Sequence, residues 1–312
     1  MIGLLPILDG RGTEYMTSSV AQKFFYKLDN LQKYNWVVLP TLSQEDIDLS
    51  YIHETIVWIH VPTLYAPDFI LNFFYDESIT KNVKAYVVQS EFHKKDIVKN
   101  FGVDPKKVFV LNNAFDKINY VEKNTDHINF IYTPQASRGL DILLESFSKI
   151  NDSNISLTVH GCNCDNCLEE GRRVVGKKDS RIDFVGYTDR SIYLRNLQQA
   201  NVLAYPCTFE ETAGIGIMEA LSAGLKVICT DLGALPETTM GFAKIIRGFP
   251  REIYKQRIKR KKHVRIFTKE MKKAIRQIRN NRFDPSAQVK AVNERFSWEN
   301  IEKQWIEFNN AM

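Results

Sequence analysis

Two glutamates, Glu211 and Glu219, bracket a loop that carries Gly214 and Gly216. The loop follows the apolar run Val202–Tyr205 and leads into the helix-forming run Ile215–Ala223. A parallel α/β sheet binds its ligands at such places, outside the carboxyl ends of its strands. Glycines let backbone N–H groups approach an anion, and a helix N-terminus is electropositive. The backbone at Gly214, Ile215 and Gly216 therefore suits a diphosphate. The two carboxylates lie on either side of it and accept hydrogen bonds from vicinal hydroxyls of a sugar or ribose. Taken singly, Glu211 also reads as a solvated loop acid and Glu219 as a first-turn acid favoured by the helix dipole. It is the coincidence of loop, glycines, helix and spacing that singles the pair out.

Other residues have types suited to the same chemistry. Arg138, in Ser137-Arg138-Gly139-Leu140, follows a predicted strand and stands where a helix should open. An always-charged guanidinium there can neutralise a leaving diphosphate, and the same position also suits a plain surface residue at a helix start. Thr133 lies just before it and offers one neutral hydrogen bond. His60 ends the predicted strand Ile56–His60, where it reads either as a donor to a sugar hydroxyl that steadies developing charge or as a packed histidine. Gly10 and Gly12 flank Arg11 in the turn after a first apolar run. His160, Cys162, Cys164 and Cys167 are four soft ligands within eight residues, but their spacing is not that of a zinc finger. No metal is assigned, and reduced thiols in a loop are the plainer reading.

These residues need strands and helices to hold them. Two runs of alternating apolar segments supply both. The first comprises strands at Ile2–Leu8, Trp36–Leu39, Ile56–Val61, Val83–Val88 and Lys107–Leu111, with helices at Ser18–Leu31 and Glu91–Phe101. The second comprises strands at Asn129–Tyr132, Ser156–His160, Ile182–Val185, Val202–Tyr205 and Lys226–Cys229. Its helices are Leu140–Ile150, Ser191–Ala200 and Ile215–Ala223. Ala287–Phe296 and Trp298–Phe308 are helical at the chain end. Strands alternating with helices imply parallel sheets covered on both faces. Polar Asp116–Asn124 divides the runs. The expected domains are 1–120, 121–295 and a last helix, 296–312, that crosses back to the first.

The totals describe an ordinary soluble globular protein. The 312 residues are 44% hydrophobic and 25% charged, enough for real cores. A net charge of +5, from 42 basic and 37 acidic residues, is too small to point to nucleic acid. No apolar stretch reaches the roughly 18–20 residues of a spanning helix, and the N-terminus lacks the basic leader of a signal peptide. The expected location is cytoplasmic. Lys255–Arg265 holds seven basic residues, which usually means a solvated face and also suits peripheral contact with anionic lipid headgroups.

In order along the chain, these motifs resemble glycosyltransferase family 4, the retaining family of GT-B fold. Glu211 and Glu219 match its E-x7-E. Val185-Gly186-Tyr187 is similar to the segment before its base pocket, Asn201–Pro206 to its A-D-V-x-x-x-P strand, and Glu219–Gly224 to E-A-x-A-x-G. Val227–Glu237, Leu111–Asp116 and Phe296-Ser297-Trp298 resemble three further elements, so the resemblance spans roughly residues 55–310. It implies an α/β GT-B fold, two Rossmann-like domains facing a central cleft, here with a reduced N-terminal domain whose acceptor-binding elements are missing or supplied by a partner. It also implies that Glu219 binds the nucleotide ribose, Glu211 the transferred sugar, and Gly214–Gly216 the phosphates. Gly186 and Tyr187 would border the base, and Arg138 takes the place of a phosphate-binding Lys. His60 would face the donor sugar, and Gly10 and Gly12 the donor phosphate. Thr133 departs from the family, which often has a second basic residue there.

The expected function is retaining transfer from a UDP- or GDP-sugar to a glycan, lipid-linked or other acceptor, with no further cofactor required. A nucleotide-sugar epimerase and a catalytically silent nucleotide-sugar binder or scaffold are the rivals. A dinucleotide dehydrogenase is disfavoured, because no G-x-G-x-x-G follows the first strand.

Overall fold

The computed structural model describes residues 16, 19–20, 22–39, 54–66, 68–161, 179–248 and 257–312. They form two compact units. The first gathers the chain up to Phe115 with Glu210–Ile215 and Arg295–Met312; the second holds Asp116–Phe209 and Gly216–Glu294.

In the first unit, β1 (Asn35–Leu39), β2 (Thr55–Ile59), β3 (Val83–Val88) and β4 (Val108–Val110) make one parallel sheet in that order. Strand β2 is buried throughout, as expected of a parallel strand covered on both faces. Alternation sends Ile56 and Trp58 into one apolar cluster and Val57 and Ile59 into another. Helices α1 (Asp68–Tyr75), α2 (Glu77–Thr80) and α3 (Glu91–Phe101) follow β2 and β3. Ser90 caps α3 by accepting from the His93 N–H, and Gly102 ends it at φ +66°, a left-handed conformation that glycine adopts without penalty.

In the second unit, β5 (Ile128–Tyr132), β6 (Ile155–His160), β7 (Ile182–Gly186), β8 (Val202–Tyr205), β9 (Lys226–Thr230) and β10 (Lys244–Ile246) form a parallel sheet ordered β10-β9-β8-β5-β6-β7. The chain runs outward from β5 to β7, then returns to the other side of β5 and continues to β10. Strand order reverses between β5 and β8, and open α/β sheets hold ligands at this switch point. The helices are α4 (Leu140–Ser148), α5 (Arg190–Gln199), α6 (Ile215–Ser222), α7 (Leu235–Thr238), α8 (Arg257–Arg279) and α9 (Ser286–Arg295). Helix α8 buries Val264, Phe267, Met271, Ala274, Ile275 and Ile278. It docks on α4 through Thr268, whose hydroxyl donates to the Ser146 carbonyl at 3.2 Å. Its opposite face exposes Lys261, Lys262, Arg265, Lys269, Lys272, Lys273 and Arg276.

The last helix, α10 (Trp298–Ala311), is capped by Ser297 and belongs to the first unit. Trp305 is buried there against Phe24, Trp36, Trp58 and Phe308. Asn309 Oδ1 accepts from the N–H groups of Asn30 and Leu31 at 3.0 and 3.2 Å.

Both sheets are parallel, as the alternation of strands and helices implied. Three details differ from expectation. Of the helix expected over Ser18–Leu31, residues 19–20 and 22–23 are helical, and 3-10 turns follow at Phe25–Lys27 and Leu31–Lys33, the second held by Asn309. Strand β2 stops at Ile59, so His60 follows it; Pro62, which has no N–H for a ladder, comes directly after Val61. Arg138 does not open a helix. It closes a 3-10 turn, Ala136–Arg138, and Gly139 at φ +104° separates it from α4. The strand expected at Ile2–Leu8, with Gly10 and Gly12, lies outside the described residues.

Candidate functional site

At the switch point of the second unit, the loops leaving β5 and β8 interlock. A Cβ on Gly139 would stand 2.1 Å from the Pro206 carbonyl oxygen, so only glycine lets the two backbones meet. Thr208 donates from its hydroxyl to the Ser137 carbonyl at 3.3 Å. The Arg138 guanidinium lies 4.2 Å from the centre of the Phe209 ring, a cation–π geometry that orients it. The turn after β6 presses on the same loop: a Cβ on Gly161 would meet the carbonyl oxygens of Pro134 and Thr133 at 2.3 and 2.5 Å.

Glu219 occupies α6, one turn beyond Gly216, and is buried. Its two carboxylate oxygens have different donors. Arg190 Nη2 donates to Oε1 at 2.5 Å, and the Tyr193 hydroxyl donates to Oε2 at 2.6 Å. Tyr193 also hydrogen-bonds Thr133, whose Oγ1 lies 3.0 Å from where a Gly216 Cβ would stand. Thr133, Gly216 and Glu219 are thus brought together by a residue that their spacing does not reveal. Burial first, then the Glu219 charge, raises the Tyr193 pKa well above its ordinary 10.0, so the phenol remains a donor at neutral pH.

His160 supports this chain from the end of β6. Its Nε2 lies 3.1 Å from Asn196 Nδ2 and its Nδ1 3.4 Å from Thr188 Oγ1, and the ring hydrogen-bonds the Gly186 backbone. Burial lowers its pKa. Its ring meets Tyr193 edge-on at 5.5 Å. At the end of β7, Gly186 has φ +68° and turns the chain, leaving Tyr187 70% exposed. A bare aromatic face at a strand end is a stacking surface for a planar base.

In the first unit, His60 is buried just beyond β2, 4.9 Å from the Trp58 ring centre. Burial, and then the neighbouring His93, press its pKa to about 3. A neutral imidazole still donates or accepts one hydrogen bond at each ring nitrogen. Its Nε2 has no hydrogen-bond partner among the described residues. The segment holding Glu211 packs beside it: Thr212 Oγ1 donates to the His60 carbonyl at 3.4 Å, and the Thr212 carbonyl accepts from Ser90 Oγ at 2.7 Å. Gly214, in the same segment, has φ +80°. Glu211 and Gly214 are thus grouped with the first unit, and Gly216 and Glu219 with the second.

Arg190, Tyr193 and Asn196 went unread in the sequence. Their i, i+3, i+6 spacing on the face of α5 is the signal that finds them once the helix start is known. Cys162, Cys164 and Cys167 lie outside the described residues; among those described, no group of three metal-binding side chains occurs. A groove of about 470 Å³, lined by Lys117, Tyr120, Pro285 and Val289, opens beside Gly224 at the amino end of β9, the opposite end of the sheet from these loops.

Residues 128–247 match the family model for Glycosyl transferases group 1. That stretch runs from the start of β5 to the residue after β10. No curated protein matches the sequence. Among solved structures, the chain is similar to the pneumococcal O-GlcNAc transferase GtfA in complex with UDP and GlcNAc. The TM-score is 0.66 at 14% identity, over 92% of this chain and 58% of that one. A glycosyltransferase from Rickettsia africae gives 0.61 at 15% identity, over 98% and 83%. TarM gives 0.59 at 16% identity, over 82% and 50%, so this chain spans half of TarM's length. The fold is GT-B. Within it, the matched family segment is the unit that carries the switch point, Arg138 and Glu219. Among the described residues, no helix is long and apolar enough to cross a membrane.

Proposed function

We propose that this chain is a retaining glycosyltransferase that moves a sugar from a UDP- or GDP-sugar to a glycan, lipid-linked or other acceptor. Glu219 carries this reading. It is a buried carboxylate one turn into a helix with glycine in its first turn, beside the switch point of a Rossmann-order sheet. That is the place and chemistry for a nucleotide whose ribose hydroxyls meet the carboxylate and whose diphosphate meets the helix N-terminus. The family match over residues 128–247 supports it, as do similar structures holding UDP with GlcNAc or UDP-glucose.

In this proposal, Arg138 and the backbone at Gly214, Ile215 and Gly216 neutralise the diphosphate as the glycosidic bond breaks. Tyr187 stacks on the base beside Gly186, and Thr133 turns its hydroxyl hydrogen from Tyr193 to a phosphate oxygen. Glu211 holds hydroxyls of the transferred sugar, and neutral His60 exchanges a hydrogen bond with it. Gly10 and Gly12 approach the donor phosphate. The acceptor attacks the face that the diphosphate leaves, and the departing diphosphate takes the acceptor's proton. The domain bounds 1–120, 121–295 and 296–312, a cytoplasmic location and the absence of a further cofactor belong to the same proposal. So does peripheral contact of Lys255–Arg265 with anionic lipid, which the exposed basic face of α8 supports.

A thermal-shift screen with UDP, GDP, ADP and their common sugars tests the reading, since a ligand of the folded state raises the melting temperature. One nucleoside diphosphate and its sugar should stabilise the protein, and an acceptor should then yield a product of unchanged anomeric configuration. No shift with any nucleotide would sink the proposal. Donor consumption without an acceptor would replace it with an epimerase.

A further inference from the structure

We infer that Arg190 is a displaceable placeholder on Glu219, which lets go when the donor nucleotide binds and closes on its diphosphate. The inference rests on the proposed role of Glu219 as the ribose acceptor. A ribose diol needs carboxylate oxygens, and both oxygens of Glu219 are engaged, by Arg190 and Tyr193. Each oxygen keeps a free lone pair, but the Glu219 side chain is only 4% exposed, so a ribose that reaches it must move a group that covers it.

Tyr193 is held from several sides. It is buried, hydrogen-bonded to Thr133 as well as Glu219, and met edge-on by His160. Arg190 also lies over the Tyr193 ring, 5.2 Å from its centre, but it is the more exposed of the two donors. It is the first residue of α5, and its side chain is 45% exposed against 4% for Glu219. While no ligand is bound, its charge compensates a buried carboxylate that would be costly to leave alone. Once ribose hydroxyls take over at Oε1, that need is met.

The freed guanidinium lies beside the natural place of the diphosphate. Glu219 is one turn from Gly216, and the Thr133–Tyr193–Glu219 chain runs along that first turn of α6. A planar guanidinium matches phosphate oxygens bidentately. Exchanging one buried carboxylate for a diphosphate of greater charge compensates the move. A nucleoside, which has ribose but no phosphate, satisfies Glu219 but leaves the displaced Arg190 charge without a new partner. Arg190 thereby makes the site selective for phosphorylated nucleosides over bare ones.

The test compares UDP with uridine and GDP with guanosine, by calorimetry, on wild type, Arg190→Ala, Arg190→Lys and Glu219→Gln. Melting curves without ligand check that each variant folds. Arg190→Ala should weaken the preferred diphosphate by about 10- to 100-fold and leave its nucleoside unchanged or tighter. Arg190→Lys should recover part of the loss, because it keeps the charge without the fork. Equal weakening of nucleoside and diphosphate in Arg190→Ala would overturn the inference, since Arg190 would then only hold Glu219 in place; so would an unchanged diphosphate affinity. Glu219→Gln separates the two ideas. If it spares the nucleoside while Arg190→Ala still weakens only the diphosphate, the ribose role falls and the phosphate contact stands. Wild type that binds neither pair overturns the functional reading and this inference with it.

Discussion

The Tyr193 hydroxyl donates to Glu219 Oε2 at 2.6 Å, from a helix that follows β7 to a helix that follows β8. This bond ties the two sides of the switch point together across a carboxylate that has almost no access to water. Tyr193→Phe should therefore cost about 1–3 kcal/mol of stability, because a buried charged acceptor loses a donor. Glu219→Ala should weaken nucleotide binding by about 1.5–3 kcal/mol, the worth of a hydrogen bond to a charged group. Urea denaturation reads the first and calorimetry with the free diphosphate the second. Unchanged affinity in folded Glu219→Ala would remove Glu219 from the site.

Arg138 and Glu211 should divide their labour. In the proposed function, Arg138 meets a diphosphate whose charge grows as the bond breaks, and Glu211 meets a sugar that the free nucleotide lacks. Arg138→Ala should weaken free diphosphate and slow transfer, with a loss of ~3 kcal/mol in transition-state stabilisation. Glu211→Gln should spare diphosphate affinity and lower turnover. The opposite pattern, with diphosphate binding abolished by Glu211→Gln and untouched by Arg138→Ala, places the phosphates elsewhere.

Two buried histidines should make the first unit acid-sensitive. Burial presses His60 to about 3 and His93 to about 4, from an ordinary 6.5. Both folded values lie below the unfolded one, so between them the unfolded chain binds more protons and stability falls as pH falls. The stability is whole above about 6.5 and is lost progressively down to about 4 and 3. Each histidine should cost about 2 kcal/mol between pH 7 and pH 5. Denaturation midpoints across that range measure it, and His60→Phe should flatten the slope. An unaltered slope in that variant would show that His60 titrates normally.

Trp305 should matter for its volume rather than its N–H. The ring is buried among Phe24, Trp36, Trp58 and Phe308, yet Nε1 has no partner among the described residues. Trp305→Ala should cost about 3–5 kcal/mol. Trp305→Phe should cost much less than that, since it also removes an unpaired polar atom. Equal losses in the two variants would mean that the indole N–H is satisfied in solution.

The exposed face of α8 carries seven basic side chains, Lys261, Lys262, Arg265, Lys269, Lys272, Lys273 and Arg276, while its apolar residues are spent on the core. Binding to phosphatidylserine vesicles should therefore be purely electrostatic. It should be present at low salt, fall steeply toward 0.5 M salt as the Debye length shrinks to a few ångströms (~4 Å), and be absent with neutral vesicles. Replacing Lys261, Lys262 and Arg265 with Glu should abolish it. Binding that resists salt, or that favours nucleic acid over vesicles, would count against a lipid partner.

Much of this was readable from residues alone, because the signals are local. Short continuous apolar runs such as Asn129–Tyr132 and Val202–Tyr205, alternating with helical runs, read as strands of a parallel sheet. The glycine loop with its two glutamates, and Arg138 before Gly139, were likewise legible as residue types suited to phosphate and sugar. Other features were decided by tertiary structure. Which strands flank β5, and hence where the switch point lies, follows from pairing between segments some 70 residues apart (Phe130 with Val202), on which periodicity is silent. The neutrality of His60 comes from burial, which one sequence does not display. The partners of Glu219 come from a helix 26–29 residues away. Spacing marks Glu219 as an acid beside a glycine loop; only the packing of α5 on α6 supplies Arg190 and Tyr193, because a buried carboxylate must take its donors from whatever element lies against it.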